Sequence, residues 1–567
     1  MKKQPRVKKW WLIRLALTIA GKKTINEMTK ASKNGKKASS ETLRHILTLS
    51  KDTVYGKEHH FEAILAAKTP EELFDLYQKN VKINDYEDLR PYIERHKNGE
   101  RDILFPGKPK MYATTSGTTK EPKWIPVTEQ YYQEVYKVMN KAWFYSLIKN
   151  RPRVFYGPCA SIVGKAIEGH APDGTVYGAA SGVMQRDIPG FMQAIHTAPP
   201  ETSYIADYKA RYYAIMRMAI QRDTHLIISA NSSTLIEMQK NANEFFDDYC
   251  DDIEHGTVSK KVPIPDDIRA ALEAYTKPSP ARAAELRELK KQYGTVMPKH
   301  YWPNLQMVNV WFCGNTKLYF DKITDFFPPN CAFHEFSYIA SECRAGVVLK
   351  SGVPETTTFC HKIYFEFIHE SDIENPNPKI YQAHEVKTGE RYSILITTSG
   401  GLYRYNMNDL MEIAGFYNQF PQIKFIQKIN GTISLTGEKL HERQFIEAVH
   451  EVEKKLGKHL NFYVGFAEPE KSSYKFYYEF TDQSVSLADA QAFTVELDRV
   501  LQGYNLEYRE KRGSDRVKMP ETALLGPDSF ERFKAISIAQ GSRDGQFKVN
   551  LLMQDENRQA MFEELVK

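Results

Sequence analysis

The chain has 567 residues, 42% hydrophobic and 12% aromatic, enough to bury a sizeable core and long enough for more than one domain. Its 77 Lys and Arg against 71 Asp and Glu leave a formal charge of +6, and no long basic block lies amid aromatics, which argues against a nucleic-acid surface. Six widely spaced cysteines (Cys159, Cys250, Cys313, Cys331, Cys343, Cys360), without C-x-x-C or H-E-x-x-H, argue against a disulfide framework or zinc site and for buried thiols in a reducing cytoplasm.

At the start of the chain, Lys2, Lys3, Arg6, Lys8 and Lys9 precede Trp10-Trp11-Leu12-Ile13, and Arg14 then interrupts the apolar run. Trp10 to Ala20 is too short to span a bilayer and no A-x-A cleavage signal follows, so an amphipathic helix docked on the domain is favoured over one lying on a membrane. From Ser39 to Asn150 the pattern is mainly helical. It ends in a long helix capped by Thr128, whose Tyr132, Val135, Met139, Ala142 and Trp143 recur at steps of three and four and form a core face. Ahead of that helix, Tyr112 to Lys123 is a run of small hydroxylated residues with one glycine and two lysines. Such a loop can close backbone N–H groups and hydroxyls around phosphate, and it is expected between a short strand and a helix N-terminus, whose dipole would act in the same direction. The spacing is not that of a P-loop, and a Ser/Thr/Gly run alone is more often a polar turn.

Glycine-rich turns at Gly174, Gly178 and Gly182 lead to helices around Tyr208 to Ile220, a buried strand Leu226–Ser229 and a helix cap at Asn231-Ser232-Ser233. Ser259 to Lys299 reads as a solvated helical surface broken by Pro278 and Pro280. Met307–Gly314, Lys362–Phe367 and Tyr392–Thr398 read as strands, and the alternation of strand with helix makes the large domain α/β. A boundary is expected at Lys428-Ile429-Asn430-Gly431, after a strand Ile423–Ile426, giving domains 1–427 and 428–567. The smaller one is α+β. It opens with a helix burying Ile446, Val449, Val452 and Leu456 and ended by Gly457, followed by strands at Phe462–Phe466 and Tyr474–Phe480 and two more helices.

Four stretches, in order, carry a resemblance to a known family. They are Tyr112 to Lys123, Tyr338-Ile339-Ala340-Ser341-Glu342-Cys343, Gly401-Leu402-Tyr403-Arg404-Tyr405-Asn406-Met407-Asn408-Asp409, and Gly541-Ser542-Arg543-Asp544-Gly545-Gln546-Phe547-Lys548-Val549. In wording and order the chain, from about Thr53 to its end, resembles the auxin-responsive acyl-acid amido synthetases, the Gretchen Hagen family within the adenylate-forming superfamily. The resemblance implies a large N-terminal adenylate-forming domain of mixed sheets and helices, with a small C-terminal domain rotating on a hinge. It implies ATP and Mg2+ as cofactors, a carboxylic acid and an amino acid as substrates, and a ligase reaction through acyl-AMP. An acyl-CoA ligase with a thiol acceptor, or a nucleotide-binding relative without ligase activity, are the alternatives.

Carried over by the resemblance, Thr115, Ser116, Thr118 and Thr119 would hold the β- and γ-phosphates with Lys123 nearby, and Gly314 would line the nucleotide site. Tyr338 would stack on adenine. Ser341 and Glu342 would sit by the α-phosphate with Glu342 touching magnesium, Asp409 would accept the ribose hydroxyls, and Lys548 would be catalytic. The phosphate loop departs from the plant pattern, which has one more residue and two small residues where Lys120 stands. Read without the resemblance, these positions are turn caps, a core tyrosine and a solvated lysine. Cys343 beside Glu342 is not read as a nucleophile, because no adjacent base is identifiable. Lys428 is given no role.

The implied chemistry has a physical logic. A carboxylate is a poor electrophile, and attack on the α-phosphate of ATP converts it into a mixed anhydride with AMP as leaving group. The protein then has mainly to position charges and offset them, and no acid/base dyad is required.

Overall fold

The computed structural model describes residues 10–114, 123–188, 193–230, 232–313, 320, 323–429, 432–433, 435, 438, 440–513, 516–539 and 550–567. The chain divides into two compact units, Met1–Met407 with Met411–Phe425, and Asn408–Leu410 with Ile426–Lys567.

In the first unit, the N-terminal apolar run belongs to helix α1 (Trp10–Ser32), which buries Ile13, Leu17, Gly21, Thr24, Met28 and Ser32 at steps of three and four. It docks on α2 (Lys137–Asn150), and the approach is so close that a Cβ at Gly21 would stand 2.3 Å from Cβ of Tyr145. The long helical stretch leading into α2 is capped as expected, Thr128 Oγ1 accepting the N–H of Tyr131 at 3.0 Å. All five residues assigned to its core face are buried.

Strands β1 (Met111–Thr114) and β2 (Trp124–Val127) pair antiparallel, Thr114 opposite Trp124. Positions 115–122 therefore connect two strands rather than a strand and a helix. The expectation of a helix N-terminus directly behind the phosphate loop is corrected here: Trp124-Ile125-Pro126-Val127 is apolar, pairs with β1, and displaces the helix start to Glu129. Thr115, Ser116, Thr118 and Thr119 lie outside the described residues.

A parallel sheet is built from β3 (Cys159–Ile162), β4 (Leu226–Ser229), β5 (Met307–Asn309) and β6 (Ala332–His334), in that order. β4 and β5 are buried at every position, the mark of a sheet covered on both faces. The side chain of Asn309 locks helix to sheet, accepting the indole N–H of Trp143 at 2.8 Å and donating to the carbonyl of His334 at 2.6 Å. The strand expected over Met307–Gly314 ends at Asn309. Beyond it the N–H of Phe312 is taken at 2.8 Å by the Glu335 carboxylate, so the backbone leaves the ladder. The cap assigned to Asn231 lies outside the described residues, although the helix Ser232–Glu244 follows as expected. The stretch Ser259 to Lys299 is helical at Asp266–Tyr275 and Pro280–Tyr293, but its inner side carries buried Arg269, Leu272, Ala283 and Leu286 and is not merely solvated.

A seven-stranded sheet follows, from β7 (Gly346–Val348), β8 (Thr356–Thr358), β9 (Tyr364–His369), β10 (Ile380–Gln382), β11 (Arg391–Thr397), β12 (Tyr405–Tyr417) and β13 (Phe420–Lys428), ordered β10-β9-β11-β12-β13-β8-β7. Just before β12, Tyr403 stacks on Tyr55 with ring centres 4.8 Å apart. Arg404 is almost fully buried, pairs with Glu366 of β9 at 2.9 Å, and donates to the carbonyl of Val81 at 2.8 Å.

The second unit has its own sheet, of β14 (Leu460–Glu468), β15 (Ser473–Phe480), β16 (Glu521–Leu524) and β17 (Leu552–Met553), ordered β16-β15-β14-β17. Its first long helix, α3 (Glu442–Leu456), is ended by Gly457 at φ 62°, in the left-handed region that favours glycine. The buried face is rotated from the expected one. Glu442, Phe445, Ala448, Val449 and Val452 are inside and Leu456 is exposed. Phe445 packs on Phe476 at 4.9 Å, and the Glu442 carboxylate accepts the N–H of Leu551, so the polar N-terminal residue is drawn in. Helices at Leu487–Tyr504, Leu506–Gly513, Ser529–Ala539 and Glu556–Glu563 follow the first strands, more than the two expected.

The Arg404–Glu366 pair yields a prediction. Replacing Glu366 with Ala strands a buried guanidinium, a change that typically costs about 3–5 kcal/mol. The variant should unfold at a markedly lower urea concentration than the native chain. A midpoint unchanged within error would mean that solvent reaches Arg404.

Candidate functional site

In an open α/β sheet, ligands bind beyond the carboxyl ends of the parallel strands. Here those ends release two segments, Val310–Cys313 after β5 and Glu335–Glu342 after β6. They are held to each other. The Glu335 carboxylate takes the N–H groups of Phe312 (2.8 Å) and Phe336 (3.1 Å), and the indole of Trp311 donates to the carbonyl of Ser337 at 3.1 Å.

Ser337 adopts φ 88°, a left-handed value that costs a residue with a Cβ. Its hydroxyl accepts the N–H of Val348 at 3.1 Å, which holds the unfavourable turn and aims the next residue, Tyr338. From Tyr338 the chain folds back on itself. The N–H of Ala345 donates to the carbonyl of Tyr338 at 3.1 Å, that of Ala340 to the carbonyl of Cys343 at 2.7 Å, and Ile339 bridges Arg344. Ser341 and Glu342 are the two residues at the tip, half-buried and side by side. At its base, Arg344 lies 4.1 Å from the ring centre of buried Tyr136. The Tyr136 hydroxyl is pushed above the usual phenol range, first by burial, with Arg344 opposing.

The half-buried ring of Tyr338 faces Phe425 of β13 in a nearly parallel plane, 12° apart with centres separated by 6.5 Å. Lys123, at the head of β2, approaches the Tyr405 hydroxyl at 3.4 Å and lies 5.6 Å from the ring centre of Tyr86. The first unit thus brings Lys123, Tyr338, Ser341 and Glu342 onto defined backbone, whereas Gly314 falls outside the described residues.

Within the second unit, Asp409 is only 3% exposed at its side chain and pairs with Lys428 at 2.5 Å. Asn408 before it has φ 52°. Sequence reading assigned Lys428 nothing. The signal was present in the turn: Tyr417 ends β12 and Phe420 starts β13, so a two-residue hairpin turn counts 409 against 428. Phe425 was missed as well, for lack of any motif. Lys548 lies outside the described residues.

The cysteines are all described and form no disulfide. Burial holds the thiols of Cys159, Cys331 and Cys360 up at about 12 and that of Cys250 at about 11. Cys313, the one that is not fully buried, is also raised, by burial and then by the Glu335 carboxylate. Cys343 is 1% exposed. A Ser/His contact does exist, Ser161 Oγ to His196 Nδ1 at 2.9 Å, but burial lowers the imidazole to about 4 and no carboxylate is recorded on its other nitrogen. No nucleophile is set up among these groups. Alkylation with iodoacetamide at neutral pH should therefore leave the native chain essentially unmodified over a period in which a model thiol reacts fully, while guanidinium should release six reactive thiols. Rapid native labelling of Cys343 would reinstate it as a reactive group.

Comparisons with known proteins agree over most of the chain. Residues 24–331 match the GH3 family N-terminal domain, 356–428 the GH3 family central domain and 443–557 the GH3 family C-terminal domain. An indole-3-acetic acid-amido synthetase of Arabidopsis thaliana, GH3.5, is 25% identical over 97% of this chain and 94% of its own. The solved structure of the GH3.15 acyl acid amido synthetase superposes with a TM-score of 0.81 at 20% identity, covering 95% of each chain. A 2-hydroxyisobutyryl-CoA ligase bound to its acyl-AMP follows at 0.54 and 12%, over 93% of this chain and 91% of that one.

Proposed function

The chain belongs to the GH3 family, and from that premise we propose that it is an ATP-dependent acyl-acid amido synthetase, which adenylates a carboxylic acid and transfers the acyl group to an amino acid with release of AMP. The observation that carries this reading is the strained, doubly hydrogen-bonded turn that presents Ser341 and Glu342 next to Tyr338, in a chain matched by all three GH3 domain models. An amine acceptor is favoured over a thiol because the relatives matched over most of their length are named amido synthetases.

In this reading Tyr338 and Phe425 take the two faces of adenine. Two contact distances of about 3.5–4.0 Å must fit between the rings, so the 6.5 Å gap has to widen by roughly 0.5–1.5 Å. Asp409 receives the ribose hydroxyls, and Lys428 neutralises it until they arrive. Lys123 and the hydroxyls of Thr115, Ser116, Thr118 and Thr119 would face the phosphates, and Gly314 would line the nucleotide site. Glu342 is the magnesium residue. Among the described residues no group of three or more His, Cys, Asp or Glu could cage a metal, whereas magnesium needs only one or two carboxylates beside phosphate oxygens and water. When bound, magnesium offsets phosphate charge. The chain's own part is to hold Ser341 and Glu342 still at the α-phosphate, so that little reorganisation accompanies attack. In the same reading the reaction runs in the cytoplasm, where ATP is supplied and thiols stay reduced. The domain limits 1–427 and 428–567, with a hinge at Lys428 to Gly431, belong to the same proposal.

Acid-dependent ATP–pyrophosphate exchange that requires magnesium tests the first half-reaction, across a carboxylate panel. Asp409→Ala should raise the apparent KM for ATP about 10- to 100-fold, from loss of charged hydrogen bonds worth about 1.5–3 kcal/mol, and Phe425→Ala should raise it without abolishing exchange. No exchange with any acid, together with undetectable AMP binding, would leave only a nucleotide-binding relative.

Lys548 is proposed to stabilise charge in the adenylation transition state alone, and a group that helps one transition state slows one step when removed. In single-turnover experiments Lys548→Ala should strongly slow pyrophosphate release, yet convert supplied acyl-AMP and amine to amide at near the native rate. Equal loss in both steps would remove the case for a hinge.

A further inference from the structure

Helix α1 breaks the rule that a docked helix is polar on its outer side. Its inner face is fully used: Ile13, Leu17 and Gly21 are buried on the domain. On the outer face the last turns are polar, as expected, with Lys22, Lys23, Asn26, Glu27 and Lys30 exposed. The first three turns are not. Trp11, Leu12, Leu15 and Ile19 are 53%, 42%, 48% and 63% exposed, four of the thirteen exposed large apolar side chains among the described residues, gathered on one side of one helix. Lone exposed apolar residues mean little, but a contiguous patch marks a surface that something covers.

The charge around the patch says what. From Met1 to Asn26 the sequence has eight basic residues, Lys2, Lys3, Arg6, Lys8, Lys9, Arg14, Lys22 and Lys23, and not one acidic residue before Glu27. In a chain whose total excess is +6, this segment alone carries +8. Cations therefore flank the apolar patch along the sequence on both sides. The helix cannot cross a bilayer, and among the described residues no helix is long and apolar enough to do so. A Trp- and Leu-bearing face bordered by lysines is suited instead to lying in the headgroup layer of an anionic membrane, apolar side chains among the acyl chains and ammonium groups on lipid phosphates.

We propose that the outer face of α1 is a peripheral membrane-docking surface selective for anionic lipid, which holds the enzyme at a bilayer without spanning it. This would matter for an enzyme that takes a carboxylic acid, because apolar acids partition into the same layer.

The test uses the full chain and vesicles of phosphatidylcholine alone or with about one-third phosphatidylserine, at low and at high salt. Co-sedimentation is expected only with the anionic vesicles, weakened by salt, with a blue shift of tryptophan emission. Leu15→Glu with Ile19→Glu should abolish binding. Lys22→Gln with Lys23→Gln should weaken it about 30-fold, at roughly fivefold per cation. Both variants should keep the native circular dichroism and thermal midpoint. Absence of binding to anionic vesicles at low salt would overturn the proposal, as would equal binding to neutral ones or binding that survives the glutamate pair. A concentration-dependent dimer in light scattering, lost in the glutamate pair while vesicle binding is absent, would assign the patch to a second copy of the chain instead.

Discussion

The burial of Arg404 constrains much of the first unit. A guanidinium cannot leave water without partners, and the side chain collects them from separate parts of the sequence: the Glu366 carboxylate on β9 and the carbonyls of Gln78 and Val81 at the C-terminal end of an early helix. Burial works against its charge, but Glu366 more than compensates, and the guanidinium is held above its ordinary range. Next to it, Tyr403 stacks on Tyr55 and donates to the carbonyl of Leu104 at 2.5 Å. These two side chains tie together the N-terminal helices, the seven-stranded sheet and the start of β12. The chain that leaves them reaches Asp409 after four more residues, so the same short motif that reads as a nucleotide signature is for half its length a structural clamp.

A second constraint works at the carboxyl edge of the parallel sheet. Glu335 satisfies two backbone N–H groups that the strands no longer pair, and Trp311 satisfies the carbonyl of Ser337. The backbone can then leave the ladder without stranded polar groups, and the tip at Ser341 and Glu342 is held by its own two hydrogen bonds and by the packing of Ile339, Ala340 and Cys343 on the core. A site whose task is to align charge needs this kind of rigidity more than it needs an ionisation tuned for proton transfer, in keeping with the lack of a competent acid/base pair among the thiols and the Ser161–His196 contact.

The sequence was most legible where periodicity alone decides the outcome. The face Tyr132 to Trp143 and the strand Leu226–Ser229 carry patterns that tertiary contacts only reinforce. It was least legible where a distant side chain intervenes. Nothing local says that Glu335 will end β5 at Asn309, or that the Glu442 carboxylate will be drawn in to cap Leu551 and turn α3 toward Phe445. The proposed site residues show the same division. Tyr338, Ser341, Glu342 and Asp409 are proposed from motifs, whereas the Phe425 contact is visible only through a ring plane and the Lys428 pair only through the count across a hairpin.

Ser337 joins these threads. Local propensity disfavours φ 88° for any residue with a Cβ, so the conformation persists only because the hydroxyl bond to Val348 and the indole bond from Trp311 outweigh its cost. Glycine would adopt the turn without strain but would offer no hydroxyl to Val348 and would lose more freedom on folding. Serine therefore exchanges backbone comfort for a side-chain tether, at the position that sets the direction of Tyr338. Where a chain violates a local rule and repairs the violation with two specific bonds, the residue that follows is the one whose placement was worth the violation.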